Sequence, residues 1–468
     1  MSRWSNTRVF AGISRVEYLM TFLPKAAIAV LCLALLPAHA QQDDKRKDEP
    51  HPKLPVEQWL SGPERSDFKW RVELVPPRMT YQQRFLVQVR AYVDAAPLQA
   101  AGHSHDFYFL MKVADERGNW LPDDTYNHFP LPPGLDKKNE IQFSTGLYAK
   151  PGKYTAALIL YDVVQGQGNL WRKQFEVKAP KKDPLPALDR DLPAIEFVTE
   201  VPSDALPTHE RVSFTRDRRG VPTITTTPDI GEEEWPPGHG TEFLPVRAPR
   251  PLRVDFVLNF APWIDPYMQR RTSTSMYRAD SGRILQIGAV LSHLQIERGC
   301  VRVGAVDLSK LSVVFDRLDG GAANWDKITE QVRKIDHNTV SAAVLGNRKS
   351  TAGFLRDYMA DLMADASGCG PGSEKTDRVI VLVSHDFQFP AGTHGDRLWP
   401  DVQCSSCRYY HLRIIGGGSG SSDDLEKFFK PANPRRFDVN SPEQFRKALA
   451  EMIEEFSGGR ARAREAAQ

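Results

Sequence analysis

The chain has 468 residues, of which 41% are hydrophobic, 26% charged and 10% aromatic. That composition fits a globular protein of several domains and excludes wholesale disorder, collagen, coiled coil and a small disulfide scaffold. Lys and Arg number 61 against 59 Asp and Glu, a formal net charge of +2, so no global basic field points to nucleic acid.

Residues Ala26 to Leu36 are uninterrupted apolar or small residues, preceded by Lys25 and several arginines. Ala38-His39-Ala40 then offers a small-x-small cleavage site before polar Gln41. This is the pattern of a secretory signal peptide over residues 1–40, cut after Ala40. A spanning helix needs about 20 apolar residues, so no membrane span is expected after signal removal. Met20 begins a more usual signal than Met1, and either can be the true start. No cysteine follows the cut to carry a lipid anchor. The address is therefore exported, periplasmic or extracellular. Cys32 leaves with the signal, while Cys300, Cys369, Cys404 and Cys407 remain. In an oxidising compartment four cysteines suggest disulfides, with three connectivities open.

Residues 41–65 are charged, then proline-rich, and read as a linker. Residues 66–180 read as antiparallel β. Phe68, Trp70, Val72 and Leu74 alternate with polar residues, as do Phe85, Val87, Val89, Ala91 and Val93, and Tyr154, Ala156, Leu158 and Leu160. Period two means one buried and one wet face. Asp106 to Val113 is apolar on both faces and should be central. Five or more such strands point to an immunoglobulin-like sandwich. Residues 181–250 read as a Pro-rich connector, with Ile195-Glu196-Phe197-Val198 a short strand in it.

From residue 251 strands and helices alternate. Leu252 to Phe260 is an apolar strand. Ser281 can cap a helix bearing Ile284, Ile287, Leu291 and Leu294, ended by Gly299. Strands follow at Val301 to Leu308 and Leu311 to Phe315. Helices carry Trp325, Ile328, Val332 and Ile335, then Leu355, Met359 and Leu362. Val379 to Val383 and Tyr409 to Ile415 are strands, and Leu425 to Phe429 is a short helix. Ser441-Pro442-Glu443-Gln444 is a capping box opening a last helix, with Phe445, Leu449, Met452 and Phe456 on its buried face. The alternation predicts a mainly parallel sheet with helices on both sides, a doubly wound α/β domain over 251–457. Residues 458–468 form a disordered tail. The whole is read as multidomain, an all-β immunoglobulin-like sandwich followed by α/β.

This second half resembles a von Willebrand factor type A domain, especially those of exported bacterial proteins. The likeness rests on the element order, on Leu252–Phe260 and Val379–Ser384, and on the paired strands Val301–Phe315. The resemblance implies a divalent-metal site above the sheet, built from Asp-x-Ser-x-Ser, a later Thr and a later Asp. Here those positions hold Asn259, Ala261, Trp263, Thr351 and His385, with Asp386 one place late. Mg²⁺ wants hard oxygen ligands in an octahedron, so the site reads as degenerate and no metal or other cofactor is expected. In the family's strand order the fourth and fifth strands are neighbours. That order implies a bridge from Cys369 to Cys404 or Cys407. The alternative pairs Cys404 with Cys407 and Cys300 with Cys369.

Other candidates read as structural. Cys404-Ser405-Ser406-Cys407 has CxxC spacing but precedes a strand, not a helix N-terminus. His103-Ser104-His105-Asp106 and His394-Gly395-Asp396 read as solvated loops. Gly416 to Ser422 follows a strand but lacks a P-loop lysine. The function expected is an exported, non-catalytic protein-binding or scaffold protein of the envelope, with an unknown protein partner and Trp263 as a candidate anchor. The alternative is an envelope enzyme, either a disulfide oxidoreductase using Cys404 and Cys407 or a hydrolase.

Overall fold

Apolar residues that alternate along a strand need a second surface to bury them, and the first half of the chain supplies one. In the computed structural model the inward rows Val87, Val89, Ala91 and Val93 share one core with Phe107, Phe109, Met111 and Val113. Phe143 lies in the same core, its ring 5.5 Å from Phe107 and 5.8 Å from Phe109. The structure describes residues 54–100, 104–131, 138–185, 193–197, 213–216, 222–225, 244–261, 274–335, 348–365, 369, 376–387, 389, 399–402, 404–415 and 423–458.

In chain order the elements are α1 Val56–Ser61, β1 Arg65–Ser66, β2 Trp70–Leu74, β3 Arg78–Met79, β4 Phe85–Asp94, α2 Ala95–Ala100, β5 His105–Ala114, β6 Trp120–Leu131, β7 Glu140–Ala149, β8 Gly152–Asp162, β9 Gln167–Val177 and β10 Ile195–Phe197. They continue with β11 Ser213–Arg216, β12 Pro222–Thr225, β13 Leu244–Val246, β14 Leu252–Asn259, α3 Thr274–Ser292, β15 Leu294–Ile296, β16 Gly299–Asp307, β17 Ser312–Asp319, α4 Trp325–Arg333, α5 Arg348–Ala364, β18 Asp377–His385, β19 Cys407–Ile414, α6 Asp424–Phe429, β20 Arg435–Val439 and α7 Pro442–Phe456. Helix α1 belongs to a separate unit, residues 1–63, and residues 64–468 form another. The Gly62 N–H closes α1 on the Gln58 and Trp59 carbonyls.

One sheet of the larger unit runs β1-β9-β8-β5-β6. A second runs β11-β12-β7-β4-β2, with β10 on β7 and β3 on β4. Strand β5 pairs antiparallel with both β6 and β8, so it is central. The third sheet has six strands in the order β17-β16-β14-β18-β19-β20. Its five inner and far-edge members are parallel, while β17 returns antiparallel on β16. Val254, Phe256 and Leu258 of β14 share a core with Ile284, Ile287 and Leu291 of α3 and Phe445, Leu449 and Met452 of α7. Val257 shares another with Ile380, Leu382, Leu355 and Met359, and with Leu425 and Phe428.

The expected fold class, an immunoglobulin-like sandwich followed by a doubly wound α/β domain, is corrected. Strand accounts for 46% of the described residues and helix for 25%, in several antiparallel sheets. Alternation of helix and strand predicts a mainly parallel sheet throughout the second half. Yet β13 and β15 form a separate parallel pair, and β10, β11 and β12 add strand content from the connector.

Local expectations are corrected too. Ser281 is not a cap but lies inside α3, which opens at Thr274. Gly299 does not end that helix: α3 stops at Ser292, and Gly299 begins β16. A Cβ at Gly299 would sit 1.8 Å from the Leu252 carbonyl oxygen, so the close approach of β14 requires glycine there. The Ser441 cap does form: its Oγ accepts from Gln444 N at 3.3 Å, and the Gln444 side chain accepts from Asn440 N at 2.8 Å.

Candidate functional site

Parallel strands carry their carboxyl ends to one edge, and in the six-stranded sheet that edge gathers buried polar side chains. Asn259 ends β14 and is fully buried. Its Oδ1 accepts the Ala261 N–H at 3.1 Å and the Leu308 N–H at 3.4 Å, tying the two loops beyond β14 and β16 together. Asp307 ends β16, and its Oδ1 accepts from Ser309 N at 2.9 Å, Ser309 Oγ at 2.5 Å and Lys310 N at 3.1 Å. Beside them in the sheet, Ser384 Oγ lies 3.1 Å from His411 Nε2, both residues buried. Burial, with Arg436 and Arg413 adding like charge, pushes His411 down to about 4, so the ring is neutral at pH 7.

Asp386 follows β18 and is gripped by Arg413 through two bonds, one of them Nη2 to Oδ2 at 2.8 Å. The same guanidinium has its Nε 3.6 Å from Asp423 Oδ2. Asp423 caps α6: its Oδ1 accepts from Leu425 N at 3.1 Å and from Phe387 N at 3.3 Å. Burial, with help from the Asp386 charge, pushes Asp423 up to about 6 against the pull of its backbone donors and Arg413.

Asn259, Ala261 and His385 thus lie at neighbouring strand ends, since Leu258 of β14 pairs with Val383 of β18. Thr351 is fully buried near the start of α5, and the next residue, Ala352, shares a core with Ala261. Trp263 lies outside the described residues, as do Ala40, His103, His394-Gly395-Asp396 and Gly416 to Ser422. This donor set does not fit a divalent cation. The Asn259 carbonyl is committed to two N–H groups, Ala261 offers a methyl, and the Asp386 carboxylate is held by Arg413. His385 is a poor ligand for a hard ion. Among the described residues no group of three or more His, Cys, Asp or Glu side chains could hold a metal.

The opposite edge of the sheet carries a second polar cluster. Arg253 donates to Asp255 Oδ1 from Nε at 3.0 Å and Nη2 at 2.8 Å, and to Asp365 Oδ2 at 2.8 Å. Arg302 and Arg317 each reach Asp365 Oδ2 at 3.3 Å. Arg378 donates to the Met363 and Leu362 carbonyls at 2.9 and 2.5 Å, and lies 3.5 Å from Asp255 Oδ2. Guanidinium groups therefore hold the carbonyl end of α5, where the helix dipole favours positive charge.

Both disulfides lie at that edge. Cys300 bridges Cys369, and Cys404 bridges Cys407, each with Cα atoms 5.3 Å apart. The implied bridge from Cys369 to Cys404 or Cys407 is therefore corrected. Cys404 and Cys407 close their own turn, with the Cys407 N–H on the Cys404 carbonyl at 3.1 Å, which leaves Cys369 for Cys300. The solvated-loop reading of His105 is also corrected: it is buried, with Nδ1 2.6 Å from Asp162 Oδ2 and Nε2 2.8 Å from the Leu98 carbonyl. Sequence reasoning did not find the Ser384–His411 contact or the arginine cluster. The signal available was weak: polar residues at alternate positions in otherwise apolar strands.

No protein-family model matches the sequence, and no curated protein matches it. Among solved structures, a von Willebrand factor type A protein from Catenulispora acidiphila is 13% identical, over 45% of this chain and 43% of its own, with a TM-score of 0.27. This chain thus spans less than half of that protein's length. A putative ApaA protein from Bordetella pertussis is 10% identical over 25% of this chain and 97% of its own, with a TM-score of 0.16. A family 123 glycoside hydrolase from Clostridium perfringens is 8% identical over 80% of each chain, with a TM-score of 0.20. These likenesses are partial and carry no argument about activity. No helix of the described residues is long and apolar enough to cross a membrane.

Proposed function

We propose that the chain is an exported, non-catalytic protein-binding or scaffold protein of the cell envelope, periplasmic or extracellular. Its second half is a von Willebrand A-related domain whose metal motif has been replaced. The observation that carries this reading is the state of Asn259: its carbonyl oxygen accepts two backbone N–H groups and so braces two loops. Bracing of that kind suits a fixed recognition surface more than a metal-dependent one. The signal-like N-terminus and the two cysteine pairs at disulfide distance support export.

Two measurements test the proposal. Calorimetric titration of the full exported chain with Mg²⁺ and with Mn²⁺ should show no saturable micromolar site. A micromolar site abolished by Thr351→Ala overturns the metal-independent reading. Crosslinking in intact cells should then couple the chain to one recurrent envelope or secreted protein. Rapid turnover of a dithiol substrate, lost in Cys404→Ser, would instead establish the enzyme alternative.

A further inference from the structure

We propose that Arg446 and Asp183 form a lock that joins the two facing sheets of the first half and the six-stranded sheet into one rigid body. The chain leaving the sandwich is then a strap, not a hinge. Arg446 lies on α7 and is 2% exposed. Its Nε donates to Asp183 Oδ1 at 2.7 Å, and its Nη2 donates to Asp183 Oδ2 at 2.6 Å and to the Leu185 carbonyl at 2.9 Å. Asp183 Oδ1 also accepts the Leu185 N–H at 2.9 Å. Burial pushes the Asp183 carboxyl up, but the Arg446 fork and the Leu185 N–H outweigh it and hold the group below the usual carboxylate range. A guanidinium this deeply buried is costly to leave unpaired, so α7 and residues 183–185 stabilise each other's position.

A second tie grips the same helix from the turn between β3 and β4. In the turn between β3 and β4, Tyr81 is buried in the core that α7 shares with the six-stranded sheet. Gln83 is 1% exposed and adopts a left-handed backbone with φ +64°, which is uncommon for a residue with a side chain. Its Nε2 donates to the Pro442 carbonyl at 3.1 Å and to the Thr80 carbonyl at 3.4 Å. Pro442 and Arg446 stand about one helical turn apart. The turn at 80–84 and the exit at 183–185 therefore clamp the first turns of α7 together. A partner of this protein would meet both halves in one fixed geometry, and the lock stands whether or not the binding reading does.

The test uses the full exported chain. Arg446→Met alone strands a half-buried carboxylate and can unfold α7, so the deciding variant is Asp183→Asn with Arg446→Met, which removes both charges. Wild type should unfold in one calorimetric transition. The double variant should unfold in two, with a larger radius of gyration by X-ray scattering and cleavage beyond Leu185 at least tenfold faster. Arg446→Lys keeps the charge, loses the fork and should accelerate cleavage by a smaller factor. One transition, unchanged scattering and wild-type cleavage in both variants overturn the lock.

Discussion

The two edges of the six-stranded sheet use their polar groups differently. At the amino edge Arg253, Arg302, Arg317 and Arg378 converge on Asp255, Asp365 and the last carbonyls of α5. Both disulfides lie in register with that cluster: Cys300 pairs across the sheet with Arg253, and Cys407 with Arg378. Among the described residues, Asn259 Nδ2, Asp307 Oδ2, Thr351 Oγ1 and Asp423 Oδ2 at the carboxyl edge are buried without a hydrogen-bond partner, and so is Arg378 Nε at the amino edge. An unmade hydrogen bond at a buried atom costs about 1–3 kcal/mol. The amino edge joins strands and helix through arginine–carboxylate pairs, while the carboxyl edge uses single amide and carboxylate groups to brace loops.

The sharpest way to break this comparison is to disarm the amino edge. Arg253→Met removes both donors to Asp255 Oδ1 and one donor to Asp365, leaving Asp255 a buried carboxylate with Arg378 at 3.5 Å. Breaking a buried pair from one side costs about 3–5 kcal/mol. Urea unfolding of the full chain should show that loss, and a loss below about 1 kcal/mol would erase the distinction between the edges.

Removal of the disulfides separates them next. The Cys300–Cys369 bridge closes a sequence separation of 69, and the Cys404–Cys407 bridge only 3. In the loop-entropy account the first contributes about 4 kcal/mol and the second about 2 kcal/mol or less. Cys300→Ala with Cys369→Ala should therefore lower the unfolding midpoint more than Cys404→Ala with Cys407→Ala. The reverse order would mean that the short bridge, not the long one, secures the edge.

How much of this was legible in the sequence depends on how local the signal was. Leu252 to Phe260, Val379 to Val383 and the Ser441 cap declared themselves because an apolar run or a side-chain cap is written in consecutive residues. Strand β20 did not: Arg435-Arg436-Phe437-Asp438-Val439 is short and charged, as exposed sheet edges tend to be. Of the two disulfide pairings, the one implied by the inherited strand order gives way to the alternative, Cys300 with Cys369 and Cys404 with Cys407, because the turn Cys404–Cys407 satisfies itself locally. The site was half legible. Asn259, Ala261 and His385 do meet at one edge, but the roles of Ser384, His411 and Asp423 depend on contacts across strands and loops far apart in sequence.

Acid sharpens the comparison inside the carboxyl edge. His411 sits near 4 when folded, against about 6.5 for a free histidine. The unfolded chain then binds the extra proton first. Stability from His411 is complete above pH 6.5 and is lost as pH falls toward 4. Asp423 runs the other way: raised to about 6 from 3.8, it binds its proton first in the folded state. Stability from Asp423 is full below about 3.8 and is lost as pH rises through 6. The two slopes oppose one another in one window. His411→Gln should make the protein relatively more stable at pH 5 than at pH 7, by roughly 2 kcal/mol against wild type. Asp423→Asn should do the opposite by a smaller amount. Thermal melts at the two pH values check both signs, and parallel shifts in the two variants would contradict the assignment.

The smallest effect is expected at Thr351. Its hydroxyl oxygen is fully buried and unpartnered among the described residues, while neighbouring Ala352 packs into the core beneath the edge. Thr351→Val keeps nearly the same shape and removes only the unsatisfied hydroxyl. Where a buried polar group makes no bond, its apolar replacement is close to neutral or stabilising. The midpoint of urea unfolding should therefore rise slightly or stay within about 0.5 kcal/mol of wild type. Ser384→Ala, which removes a hydroxyl that contacts His411, should destabilise by about 1 kcal/mol because it leaves an imidazole nitrogen unpaired. If Thr351→Val costs as much as the Ser384 exchange, the Thr351 hydroxyl has a partner of its own, and the carboxyl edge is as fully bonded as the amino edge.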